Sequence, residues 1–113
     1  MTAKPNIPAA AAIELTALVS YTEGGIASRV IARTGGGNVT LFAFDADQEL
    51  STHSAPYDVL VVVLEGALRL TIGGAPVRAA SGAVVRIPAN VPHAVESPQR
   101  SKMMLIMLQG HAT

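Results

Sequence analysis

The segment that most constrains this chain is Val59 to Leu64, Val-Leu-Val-Val-Val-Leu, set between Asp58 and Glu65-Gly66. It is too short to cross a membrane as a helix, and its β-branched content reads as a strand. Because every position is apolar, both faces of that strand need cover, which a barrel or sandwich supplies and an isolated sheet does not. His53, just upstream, is then delivered into an enclosed interior.

Ala67 to Ile72 follows directly, with β-formers at Leu68, Leu70 and Ile72, and Gly73-Gly74 closes it, so the two runs read as a hairpin followed by a second turn. Val77 to Ala80 is a short strand. Farther on, Gly82 precedes Ala83 to Ile87, after which Pro88-Ala89-Asn90-Val91-Pro92 forces a tight loop and delivers His93 onto the next strand. Lys102 to Leu108 is the last long strand. Three of its residues are methionines, which suit an adaptable pocket wall but more commonly fill a core.

At these residues the chain resembles the cupin superfamily. In the second cupin motif, G-x5-P-x-G-x2-H-x3-N, Gly82, Pro88 and His93 fall in register, Asn90 stands at the inner glycine and Ser97 at the terminal asparagine. Asparagine tolerates the left-handed backbone that a glycine there implies. In the first motif, G-x5-H-x-H-x3-E-x6-G, His53 and Gly66 keep their places. Asp47, Ala55 and Val59 take the positions of the leading glycine, the second histidine and the glutamate. The resemblance implies an all-β fold, a double-stranded β-helix or jelly-roll barrel with a short N-terminal helical or irregular segment. It also implies that two of the four usual metal ligands are missing, and it names no substrate.

We divide the chain into an N-terminal tail and short helix or arm (residues 1–26), the barrel (27–109) and a C-terminal tail (110–113). Ala9 to Leu18 has the alanine and leucine content of a short helix, Ser20 to Gly25 reads as a turn, and Ala27 to Arg33 as the first strand. Gly35-Gly36-Gly37 is a turn rather than a phosphate loop, since it leads into the strand Val39 to Phe44 and not into a helix. That strand puts Val39 and Leu41 on one face and Phe42 and Phe44 on the other. One face lines the barrel; the other needs either a second subunit, hence an expected homodimer, or an intramolecular partner.

Charge excludes some partners. Lys plus Arg and Asp plus Glu are 8 each among 113 residues, so no electrostatic footprint for nucleic acid or an anionic membrane is present. The chain has no cysteine, which removes disulfides, thiolate nucleophiles and thiolate metal sites. The apolar stretch Ile7 to Ile13 is interrupted by Pro8 and followed by Glu14, unlike a signal peptide, so a soluble cytoplasmic protein is expected.

The candidate ligand pocket is marked by His53, Tyr57 and His93, and the candidate metal ligands are His53 and His93, for zinc, nickel, iron or manganese. With His53 inward, strand alternation puts Ala55, Tyr57 and Val59 on its side and Asp58 outward, so Asp58 becomes a ligand only through a local bulge, which Pro56 would mark. Asp47 and Glu49 fall in the turn before His53 and read as solvated acids. Tyr57 carries a phenol toward the pocket, as a ligand contact or as an amphipathic ring at the rim. His111, in the tail, reads as solvated. Three functions stay open: a pocket binding an unidentified small molecule, with or without a weakly held divalent metal, a metal-dependent enzyme of dioxygenase or isomerase type, and a non-catalytic dimeric structural or sensing module.

Overall fold

The structure, a computed structural model, describes residues 7–110. His111 and residues 1–6 of the N-terminal tail lie outside them. Nine strands are present among the described residues: β1 (Ile26–Thr34), β2 (Gly37–Phe44), β3 (Gln48–His53), β4 (Asp58–Glu65), β5 (Ala67–Ile72), β6 (Ala75–Ala80), β7 (Val84–Ile87), β8 (His93–Ser97) and β9 (Ser101–Leu108). They form two antiparallel sheets, ordered β1-β2-β9-β4-β7 and β3-β8-β5-β6. The chain changes sheet repeatedly, which gives a jelly-roll barrel. No helix among these residues is long and apolar enough to cross a membrane.

Strand β4 behaves as its sequence requires on the inner face, where Val59, Val61 and Val63 are buried against Phe44, Leu68, Leu70 and Val95. Its outer residues Leu60, Val62 and Leu64 are only half-buried. Phe42 and Phe44 also pack inward, while Val39, Leu41 and Ala43 form a second cluster with Leu15, Leu18, Val19 and Tyr21. The outer face of β2 is therefore covered by the chain's own N-terminal arm. Lys102 fastens that arm by donating from Nζ to the Thr16 carbonyl at 2.7 Å, Arg29 donates to the Leu18 carbonyl at 2.9 Å, and the Tyr21 hydroxyl donates to Glu65. Burial and the Glu65 carboxylate push the Tyr21 phenol above its ordinary pKa.

Three expectations are corrected. The runs on either side of Gly66 do not form a hairpin: β4 pairs with β7 and β9 and β5 with β6 and β8, because the chain crosses from one sheet to the other at Gly66, whose φ is +74°. The helix over Ala9 to Leu18 reduces to one 3-10 turn, Leu15–Leu18. Alanine favours a helix intrinsically, but a segment this short needs an apolar stripe to bury, and residues 7–14 are all exposed. The stretch before His53 is a strand rather than a turn, with the turn confined to residues around Asp47, whose φ is +62°. Strand β3 lies at a sheet edge with one apolar residue, so neither alternation nor β-propensity marks it. Strand β6 begins at Ala75 and so includes Pro76, which an edge strand tolerates because no ladder partner needs its missing N–H.

At the turn entering β3, Asp45 sits beside Arg100, with Nε to Oδ1 at 2.8 Å. That hydrogen bond, aided by the N–H groups of Gly24 and Ala46, lowers its carboxyl from 3.8 to about 2. A depressed folded-state pKa contributes stability that is fully present above 3.8 and is lost as pH falls toward about 2. The urea midpoint is expected to decline over that interval, and Asp45→Asn to remove part of the decline. An unchanged acid limb in the variant would refute this role for the pair.

Candidate functional site

His53 and His93 lie 40 residues apart in the chain and are brought opposite each other as Cα partners in the β3–β8 ladder. Alternation alone would not do this. Leu50 faces inward and pairs with Val95, so in a regular strand His53, three positions on, would face out. One extra residue between Leu50 and His53 shifts the ladder, a bulge that returns His53 to the inner side. The bulge that would have turned Asp58 inward was expected at Pro56; the irregularity lies earlier and serves the histidine.

The two rings meet edge to face with centroids 4.3 Å apart and planes at 62°. His93 is 5% exposed, while His53 stands exposed at the mouth. Each ring is held by the carbonyl two residues before it: His53 Nδ1 lies 2.8 Å from the Ser51 oxygen and His93 Nδ1 lies 2.9 Å from the Val91 oxygen. Both rings line one cavity of about 210 Å³. Its walls are otherwise mostly apolar, with Leu50, Val61, Ile87, Val95, Met103 and Leu105 among them.

Ala55, Tyr57 and Val59 also line this cavity, on the side alternation assigns them. Tyr57 directs its hydroxyl to the Met107 sulfur at 3.4 Å, not to either histidine. The methionines of β9 divide by parity: Met103 and Met107 line the cavity, whereas Met104 packs in the outer cluster.

Asp58 is absent from the lining, which removes it as a substitute ligand. Its Oδ1 accepts from the Ala89 N–H at 2.9 Å and its Oδ2 from Arg86 Nη1 at 2.8 Å, and these bonds hold its carboxyl below the ordinary carboxylate range. Asn90 donates its N–H to the Ala55 carbonyl at 2.7 Å and adopts the left-handed conformation, φ +65°. The 88–92 loop that carries His93 is thus tied at two points to the segment after His53. Sequence reading misses this positioning role for Asp58, because nothing local marks a contact 31 residues away. Asp47 and Glu49 lie with Arg69 and Glu96 along an open polar groove separate from the cavity.

Ser97, at the position of the second motif's asparagine, is 1% exposed, donates from Oγ to the Asp45 carbonyl at 2.7 Å and accepts from the Gln48 N–H at 3.2 Å. It ties β8 to the start of β3 and does not reach the cavity lining.

For a metal ion the donor set is short. Among the described residues no group of three or more His, Cys, Asp or Glu side chains is placed to hold one. The carbonyl bonds at Nδ1 leave Nε2 of each ring as the coordinating atom, but two imidazoles fall below the three protein ligands usual in tight sites. Alanine and valine fill the positions from which the cupin motif would supply the rest.

The family described as "Cupin domain" matches residues 40–109. A conserved protein of unknown function from Streptococcus pyogenes is similar over 99% of this chain and 98% of its own, at 30% identity and a TM-score of 0.89. A cupin 2 conserved barrel domain protein from Leptotrichia buccalis is 35% identical over 86% of this chain and 47% of its own, with a TM-score of 0.83. A cupin superfamily protein from Desulfitobacterium hafniense is 25% identical over 93% and 96%, with a TM-score of 0.87. No curated protein matches the sequence. With the family match covering most of the barrel and the S. pyogenes fold superposing along nearly its whole length, this chain belongs to the cupin family.

Proposed function

We propose that the protein binds a small, largely apolar molecule in the barrel cavity, with His53 and His93 as its polar handles. The observation that carries this reading is the pairing of two imidazoles, 4.3 Å between centroids, in an otherwise mostly apolar cavity of about 210 Å³. Cavities of about 150 Å³ already hold a benzene molecule, so the space suits one ring or a short chain. The ring nitrogens not engaged by the Ser51 and Val91 carbonyls give such a molecule a polar contact beside otherwise mostly apolar walls.

If both histidines serve one site, His53→Ala and His93→Ala each weaken binding of the same ligand, by tenfold or more, in a thermal-shift screen of one-ring compounds followed by calorimetry. Independent effects of the two variants would refute the shared site. The metalloenzyme reading, of dioxygenase or isomerase type, requires a near-stoichiometric zinc, nickel, iron or manganese in protein purified without chelator or affinity tag, and its loss in His53→Ala. Substoichiometric metal favours the binding pocket.

A homodimer belongs to the same proposal. Val84 and Leu108 are 61% and 48% exposed and border the half-buried Leu60, Val62 and Ile106 on the outer sheet face. A contiguous apolar patch of this kind suits a second copy. A single-chain mass by sedimentation at micromolar concentration would remove it.

A further inference from the structure

We propose that the ligand is a neutral molecule bearing a hydroxyl on a one-ring apolar body, a phenol or enol, which donates its hydrogen bond to the histidine pair. This rests on reading the cavity as a binding site. The Ser51 and Val91 carbonyls that face the two Nδ1 atoms, at 2.8 and 2.9 Å, can only accept, so each Nδ1 carries the hydrogen. In a neutral imidazole the other nitrogen is then an acceptor. With both rings neutral, the pair brings two acceptors and no free ring donor to the cavity lining.

Two other hydroxyls line the cavity, those of Ser54 and Tyr57, and no hydrogen bond joins either to a histidine. The hydroxyl of Tyr57 is engaged with the Met107 sulfur. Among the described residues no lysine or arginine lines the cavity, and the nearby Arg86 is paired with Asp58 outside it. A carboxylate would thus meet two acceptors and no cation, and an ether or hydrocarbon would leave both nitrogens unpaired. A ligand O–H pairs one of these nitrogens, and the exposure of His53 leaves the other within reach of water. Sites built around a hydrogen bond discriminate strongly against analogues lacking that group, because the protein's own polar atoms are left unpartnered.

The test is calorimetric titration of the full chain at neutral pH with phenol, anisole, toluene and benzoate, alongside nitrogen-15 shifts of the two histidine rings. The expected result is binding of phenol at least tenfold tighter than anisole or toluene, no binding of benzoate, and both rings protonated at Nδ1. The preference for phenol should vanish in His93→Ala and in His53→Ala. Equal binding of phenol, anisole and toluene would leave the pocket standing and overturn the hydroxyl assignment. Preference for benzoate, or rings protonated at Nε2, would overturn it as well. Binding of none of the four would overturn both this inference and the pocket on which it rests.

Discussion

Replacing Gly66 with alanine is expected to destabilise the fold by about 3 kcal/mol, the sum of a left-handed backbone penalty of about 1 kcal/mol and an overpacking term of about 2 kcal/mol. Gly66 is the single residue between β4 and β5, which belong to different sheets, so the chain turns the corner of the barrel in one step. Its φ is +74°, and a Cβ there would collide with the Arg100 carbonyl oxygen and press on Ser101. Ser101 has no room to yield. Ser101 is fully buried, and its Oγ donates to the Ala67 carbonyl at 3.0 Å and accepts from the Ala67 N–H at 3.2 Å, strapping the corner from the other side.

Gly74→Ala separates the two contributions. Gly74 has φ +84° but nothing within 4 Å of the position a Cβ would take, so only the conformational penalty applies, about 1 kcal/mol. In urea unfolding, the Gly66 variant should lose about three times the stability that the Gly74 variant loses. Equal losses would mean that the corner relaxes and that the collision carries no energy.

The same corner illustrates what could be read from the sequence. Val59 to Leu64 announces its strand because every side chain demands cover, and Gly66 is conspicuous as the abrupt end of that run. Pro88 to Pro92 announces its loop through backbone chemistry, and Asn90 takes the left-handed conformation that the motif resemblance implies. Strand β3 could not be read so, because an edge strand of Gln-Glu-Leu-Ser-Thr-His has almost nothing to bury. The bulge before His53 leaves no local mark either, yet it decides the side on which the histidine emerges. Spacing to Gly66 identified the residue; only the ladder register accounts for its direction. The alanines near the N-terminus misdirect in the opposite sense, since intrinsic propensity without an apolar stripe does not sustain a helix.

Restoring the two absent ligands supplies the largest functional change we expect. Ala55 and Val59 line the same cavity as His53 and His93, so Ala55→His with Val59→Glu would place three imidazoles and a carboxylate around one space. Val59 is 3% exposed, and an ionised carboxylate at that depth is costly without a counter-charge. The metal-free double variant should therefore be less stable than the parent by several kcal/mol. A divalent ion would reverse the deficit, since binding at a thousandfold excess over the dissociation constant contributes about 4 kcal/mol to the folded state. The parent chain, with two imidazoles alone, should gain little from the same ion. Elemental analysis should find about one zinc, nickel, iron or manganese per double-variant chain after dialysis, and adding His93→Ala should release it. If the double variant takes up no metal, or keeps it without His93, then the four positions do not surround a common point and the motif correspondence fails at the site. If it does take up metal, the chemistry of this barrel is set by Ala55 and Val59 as much as by its two histidines: the apolar pair keeps the cavity short of donors and leaves both ring nitrogens for an organic ligand.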